Sequence, residues 1–199
     1  LFAPSGGVME PYRFVFSLIE NAQQNGVELH CDFDVVSARH DGAAHAITAR
    51  DGRTVRAQVA INTAGLYADD VSALFGGERF GIVARKGEEY LLDRNSDGFP
   101  NHVLFPVPVK NSKGILVIPT AAGTTMVGPT AIEVNDKEDH DTTEENLARV
   151  FESAKHLMPT ISRRDIITAF TGVRPALDSG DFFIDISRKA PSLIQVAGI

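Results

Sequence analysis

Arg174 is the side chain best placed by its type and setting to hold an anion. It stands in "GVRP", just after Gly172 and before Pro175, where a strand end can aim a planar guanidinium at a carboxylate or phosphate through two parallel hydrogen bonds. An ion pair with one of the 26 acids is the plainer use of the same charge. In "KGEEYLL", Glu89 and Tyr90 set a carboxylate beside a phenol, and on an alternating strand the two face opposite sides. Lys86 and Arg85 just before them read as solvated or paired. Ser5 lacks the histidine and acid that would mark a nucleophile. The six histidines show no metal-ligand spacing; His102, His140 and His156 read as ordinary, with a base role for His102, ahead of a strand, the minor alternative, and the catalytic base is unassigned. "EVNDKEDHD" lacks the glycine and terminal glutamate of a calcium loop and reads as a solvated loop.

A second kind of chemistry resides in backbone. "AINTAGLYADD", from Ala60 to Asp70, runs from a short strand into Asn62, Thr63, Ala64 and Gly65 and then into a helical pattern. A strand, a turn of small residues and a helix are how dinucleotide sites bring backbone N–H groups to a pyrophosphate. The same junction is also a common packing device.

The elements that must position these groups follow from periodicity and punctuation. Pro11 suits a first helical turn, and Phe14, Leu18 and Ala22, flanked by Val15 and Ile19, predict a helix over 11–24 stopped by Asn25-Gly26. Alternating segments with turns at Asp41-Gly42 and Asp51-Gly52 predict a three-stranded meander and a return strand ending at Asn62. A helix over about 68–75 closes at Gly76-Gly77. From Ile82 the pattern turns to strands, in "GIVARKGEEYLLDR", "HVLFPVPV", "GILVIPT", "TTMVGPTA", "DIITAFTGVRPAL", "DFFIDIS" and "SLIQVAGI". One helix over about 143–157, capped by Thr142 or Thr143, interrupts them. The expected class is α+β: a mixed or antiparallel sheet with one covering helix beside a smaller meander-bearing part, the halves meeting near 76–82.

With 43% hydrophobic and 23% charged residues, the 199-residue chain can bury a substantial core. Nineteen Lys+Arg against 26 Asp+Glu give −7 with no long basic run, which argues against a nucleic-acid partner. One cysteine, Cys31, allows no internal disulfide, and cytoplasm is the expected location. No apolar stretch reaches the roughly 20 residues of a transmembrane helix. A first residue Leu1 and an apolar final run "QVAGI" read as a piece of a longer chain.

Taken in order, "APSGGVMEPYRFVFSLIENAQQNGVEL", "AINTAGLYADDV", "ARKGEEYLLD", "VLFPVPV", "VIPT…MVGPTA" and "TGVRPALDSGDFFI…LIQVAGI" resemble the family of FAD-dependent oxidoreductases that contains glycerol-3-phosphate dehydrogenases, D-amino-acid oxidases and L-2-hydroxyglutarate oxidases. The resemblance covers nearly the whole chain. "KGEEYLLD" and "GPTA" are most similar to bacterial type 2 glycerol-3-phosphate dehydrogenases. It implies that 1–80 form part of an FAD-binding domain, and that 81–199 form a substrate domain returning toward the FAD domain at about 190–199. Thr63, Ala64 and Gly65 would present backbone to FAD, Val35 would meet the adenine, and Gly6, Gly7 and Gly198 would lie on the cofactor side. It makes Arg174 the anchor of a small anionic substrate near the flavin, with Tyr90, slightly preferred over Glu89, bordering the cavity. The implied reaction is hydride transfer from a carbon bearing OH to flavin N5. Glycerol 3-phosphate is the first substrate, a 2-hydroxy acid of the L-2-hydroxyglutarate type the alternative, and the electron acceptor is unassigned. The family's G-x-G-x-x-G turn is not in this sequence, so the 199 residues alone should hold FAD poorly. A non-catalytic binding or interaction module is the reading of another class.

Overall fold

Pro11 opens the first helix because its fixed φ suits a first turn and its missing N–H would lack a partner there. The computed structural model describes residues 2–93, 99–107 and 114–199 and places α1 at Pro11–Gln24. Gly26, left-handed at φ 88°, ends it. The N–H of Gly26 donates to Gln23 O and that of Val27 to Ala22 O, both at 3.0 Å, the paired closure of a Schellman motif. No residue of α1 is buried, and Phe14, Val15 and Leu18 stand exposed.

The chain continues through β1 (Val35–His40), β2 (His45–Ala49), β3 (Thr54–Ala57), β4 (Ala60–Asn62), α2 (Ala68–Leu74) and β5 (Ile82–Leu92). β6 (Leu116–Pro119), β7 (Thr125–Gly128), β8 (Ile132–Val134) and α3 (Glu144–Leu157) come next, then β9 (Ile166–Leu177), β10 (Phe183–Ile186) and β11 (Leu193–Ala197). The class is the expected α+β. Two compact units gather these elements: Leu1–Leu29, Lys86–Ile132 and His140–Gly172 in the first, His30–Arg85, Glu133–Asp139 and Val173–Ile199 in the second. β5, β8 and β9 each run from one unit into the other.

In the second unit the meander β1-β2-β3 is antiparallel throughout. At its first turn Asp41 Oδ1 accepts the N–H groups of Ala43 and Ala44 at 3.0 Å. Those bonds, with Arg56 on the other oxygen, hold the carboxyl well below the usual carboxylate range. A second sheet runs β10-β11-β4, with β11 antiparallel to β10 and parallel to β4, so that Gln195 lies opposite Asn62. α2 packs on β11, β4 and β1.

His45 ties this unit together. Its ring is 2% exposed, its Nε2 meets Ser192 Oγ at 2.7 Å, and its faces meet His40 at 4.7 Å and Phe75 at 5.0 Å, edge to face. Burial, and after it the neighbouring His40, holds its pKa below the ordinary histidine value. The folded state therefore favours neutral imidazole. Stability contributed this way is complete above the unfolded value of about 6.5 and is lost as pH falls toward the lower folded value, with a slope of up to about 1.4 kcal/mol per pH unit. Urea midpoints of the wild type should drop between pH 7 and 5 more steeply than those of His45→Gln; parallel pH profiles would disprove this role for His45.

In the first unit, period two governs β5. Lys86, Glu88, Tyr90 and Leu92 are all buried, whereas Glu89 and Leu91 between them are half-buried. β5 belongs to a sheet of order β6-β7-β5-β8, with β9 also pairing to β5. A Cβ on Gly128 of β7 would stand 2.7 Å from Glu89 Cγ and 3.0 Å from Glu88 O, so only glycine lets this backbone so close to β5. α3 lies on β7 and β6, and Val150, Phe151 and Ala154 of its inner face join Tyr90, Leu92, Val117 and Val127 in one core. Each Val, Leu or Phe so buried contributes about 1.5–3 kcal/mol. Thr143 caps α3, its Oγ1 accepting the Asn146 N–H at 3.3 Å.

Two strand expectations need correction. The described residues of "HVLFPVPV", 102–107, form an isolated bridge between Leu104 and Val117 rather than a strand; Pro106 offers no N–H to continue a ladder. Its Pro108 and Val109, like Arg94 at the end of "GIVARKGEEYLLDR", lie outside the described residues. β8 was not foreseen, three residues being too few to show a period.

Candidate functional site

β4 ends at Asn62, and the chain passes through Thr63 and Ala64 into a 3₁₀ turn over Gly65–Tyr67 that leads directly into α2. Gly65 is left-handed at φ 57°, and a Cβ added to it would meet no atom within 4 Å. Thr63 is exposed. The small residues thus leave space beside the turn's backbone at Gly65.

What holds the turn is Asn62, which is 3% exposed. Its Oδ1 accepts the Ala64 N–H at 3.2 Å, and its Nδ2 donates to Ala68 O at 2.7 Å and to Gln195 Oε1 at 2.8 Å. The sequence reading used Asn62 only as a strand end and missed Gln195, whose partner lies 133 residues away.

Four other groups of interest lie in the second unit. Val35, half-buried, starts β1 opposite Ala49 beside a register shift before Ser37. Gly198 follows β11 at φ 81°, where a Cβ would stand 2.9 Å from Leu177 Cδ1. Arg174 is exposed on β9, and among the described residues no carboxylate forms an ion pair with it. Lys137, bonded to Asp69 at 2.8 Å and Asp70 at 3.1 Å, is the cation this acidic region does engage.

The first unit holds the rest. Gly6 and Gly7 sit in an exposed loop in which the Gly6 N–H donates to Ala3 O at 3.2 Å. Tyr90, 8% exposed, packs edge-on against Phe151 with ring centroids 6.5 Å apart. Glu89 takes the other face of the strand. Lys86, expected to be solvated or paired, is buried and paired: its Nζ donates to Asp141 O at 3.0 Å and lies 4.0 Å from Glu88 Oε1. Arg85 makes an exposed pair with Glu133 at 3.0 Å, in the second unit. His102 is exposed and meets Phe2 edge to face at 5.4 Å. Among the described residues no group of His, Cys, Asp and Glu could hold a metal ion, and no helix is long and apolar enough to cross a membrane.

An open small-residue turn at the end of a strand parallel to its neighbour is an arrangement that dinucleotide sites use. The profile of the family described as FAD dependent oxidoreductase (DAO) matches residues 1–199, and the chain belongs to this family. It is 36% identical, over its whole length and 41% of the relative's, to glycerol 3-phosphate dehydrogenase of Caloramator mitchellensis. Identity to glycerol 3-phosphate oxidase of Mycoplasma pneumoniae is 28%, over 89% of this chain and 48% of that one. The solved structure of the dithionite-reduced L-alpha-glycerophosphate oxidase of Mycoplasma pneumoniae with FAD bound superposes with a TM-score of 0.84 at 26% identity, covering 91% of this chain and 48% of that one. The chain spans about half or less of the length of these relatives.

Proposed function

We propose that this chain is the substrate-handling and part of the FAD-handling portion of an enzyme that oxidises glycerol 3-phosphate. The observation that carries the reading is Arg174: an exposed guanidinium on β9, without an ion pair among the described residues in a chain of net charge −7, in a "GVRP" segment. An arginine kept unpaired among so many acids is available to a dianionic phosphate. Thr63, Ala64 and Gly65 would hold FAD through backbone, joined by Val35, Gly6, Gly7 and Gly198. Residues 1–80 would belong to the FAD-binding domain and 81–199 to the substrate domain. One of Glu89 and Tyr90, which face opposite sides of β5, would border the substrate, Tyr90 being slightly preferred and fixed through its packing on Phe151.

Bound flavin supplies the redox chemistry by accepting hydride. The protein's part is to orient the substrate anion through Arg174 and to exclude water, which converts a bimolecular encounter into a positioned one. The whole protein would be longer than 199 residues, and the 199 residues alone would retain FAD weakly.

The test is anaerobic addition of glycerol 3-phosphate to the full-length protein purified with FAD. Bleaching of the flavin absorbance is expected with glycerol 3-phosphate and not with L-2-hydroxyglutarate. Bleaching by L-2-hydroxyglutarate alone would move the assignment to a 2-hydroxy-acid oxidase. A well-folded, colourless full-length protein that takes up no FAD would leave a non-catalytic module.

A further inference from the structure

Beneath the open turn runs a chain of buried polar groups with a single possible direction. Asn62, Ser72 and Gln195 are 3%, 0% and 0% exposed. The Ser72 hydroxyl donates to Glu78 O at 2.8 Å, so it must accept from Gln195 Nε2, which reaches it at 2.6 Å. That choice turns Gln195 Oε1 toward Asn62, where it accepts from Nδ2 at 2.8 Å. Asn62 Oδ1 is thereby turned to the Ala64 N–H, while the same Nδ2 also spans the turn to Ala68 O. A backbone carbonyl at one end thus fixes both amides. No slack surrounds them: a Cβ on Gly77 would stand 2.6 Å from Ser72 Oγ and 2.9 Å from Gln195 Nε2.

We propose that Asn62, Gln195 and Ser72 are positioning residues that set the backbone of Thr63, Ala64 and Gly65 for FAD, an inference that rests on the reading of that turn as a cofactor contact. Fully satisfied buried polar networks rigidify what they join. This one joins β4, α2 and β11 and brackets the turn from both ends, at Asn62 and at Ala68. None of the three side chains needs to touch the cofactor. They act by keeping the turn in one shape, so that binding does not have to order it.

The experiment measures the Kd of FAD for full-length apoprotein by quenching of flavin fluorescence, well below the melting temperature, on variants whose circular dichroism matches the wild type. Asn62→Leu, similar in size but without hydrogen bonds, should bind FAD about 10- to 100-fold more weakly. Asn62→Ser, whose hydroxyl can still accept the N–H two residues on, should recover part of that loss. Gln195→Met leaves the local bond to Ala64 and removes only the support behind it. It should weaken FAD binding about 3- to 10-fold, and it decides the matter if the Asn62 variants fail to fold. Glycerol 3-phosphate affinity of FAD-saturated Gln195→Met should equal that of the wild type, which a general loss of structure would not allow. Unchanged FAD Kd in Gln195→Met and Asn62→Leu, with only a lower melting temperature, would overturn the inference and leave the FAD reading intact. A wild-type full-length protein that binds no FAD would overturn both.

Discussion

On the proposed function, Arg174→Ala in the full-length enzyme should lower kcat/KM for glycerol 3-phosphate by about 30- to 5,000-fold, the equivalent of roughly 2–5 kcal/mol, as a desolvated anion loses its charged partner. Arg174→Lys keeps the charge but gives up the two-pronged geometry, so KM rises with a smaller total loss. Flavin content should stay at the wild-type level, because the role proposed for Arg174 is on the substrate side. Thermal stability should also stay within about 0.5 kcal/mol, since the exposed side chain has no ion pair to lose among the described residues. The two readouts separate the roles: an arginine serving a surface ion pair would show the reverse, unchanged kinetics on a less stable protein. Wild-type kcat/KM in Arg174→Ala for glycerol 3-phosphate and for anionic 2-hydroxy acids alike would refute the assignment.

The features legible in the sequence are those whose physics is local. α1 begins on Pro11 and ends on Gln24, as its proline, its period and Asn25-Gly26 require. α3 starts after the Thr143 cap, and the meander turns at its two Asp-Gly pairs. α1 also shows where local reasoning stops. Its apolar stripe predicts a covered face, yet Phe14, Val15 and Leu18 stand exposed, because burial depends on a partner surface that the helix's own period does not specify.

The same distinction divides the candidate site. "NTAG" could be read as a turn from its small residues alone. Its support could not, since Ser72 and Gln195 are neighbours only once α2 lies on β11, 123 residues apart in sequence. Nor could one cysteine, six histidines and scattered acids show which polar groups are interior. On β5 the buried face carries Lys86 and Glu88 as well as Tyr90 and Leu92, so hydrophobicity loses its alternation while burial keeps it. A charged pair on a covered face is invisible to a pattern that counts apolar residues.

Glu88→Ala should accordingly destabilise the protein by about 3–5 kcal/mol, lowering the urea midpoint without altering the surface. Glu88 is 0% exposed. Its carboxylate accepts the Thr143 N–H at 2.8 Å, Asn146 Nδ2 at 2.7 Å and the Thr143 hydroxyl at 3.4 Å. It therefore serves three donors at the N-terminus of α3, where the helix dipole adds to the attraction for negative charge. The Lys86 ammonium, 5% exposed, lies 4.0 Å away. Removing the carboxylate takes the acceptor from these three donors and a negative charge from beside a buried cation, and both costs add to that of the lost side-chain packing. Glu88→Gln keeps an acceptor but sacrifices the charge, and should fall between alanine and wild type. Thr143→Ala removes the cap for about 1 kcal/mol. Combined with Glu88→Ala it should cost less than the sum, because both changes release the same first turn of α3, with a coupling of about 0.5–3 kcal/mol. If Glu88→Ala unfolds within 0.5 kcal/mol of the wild type, the carboxylate is not what joins β5 to α3, and the stability of the first unit must come from its apolar core alone.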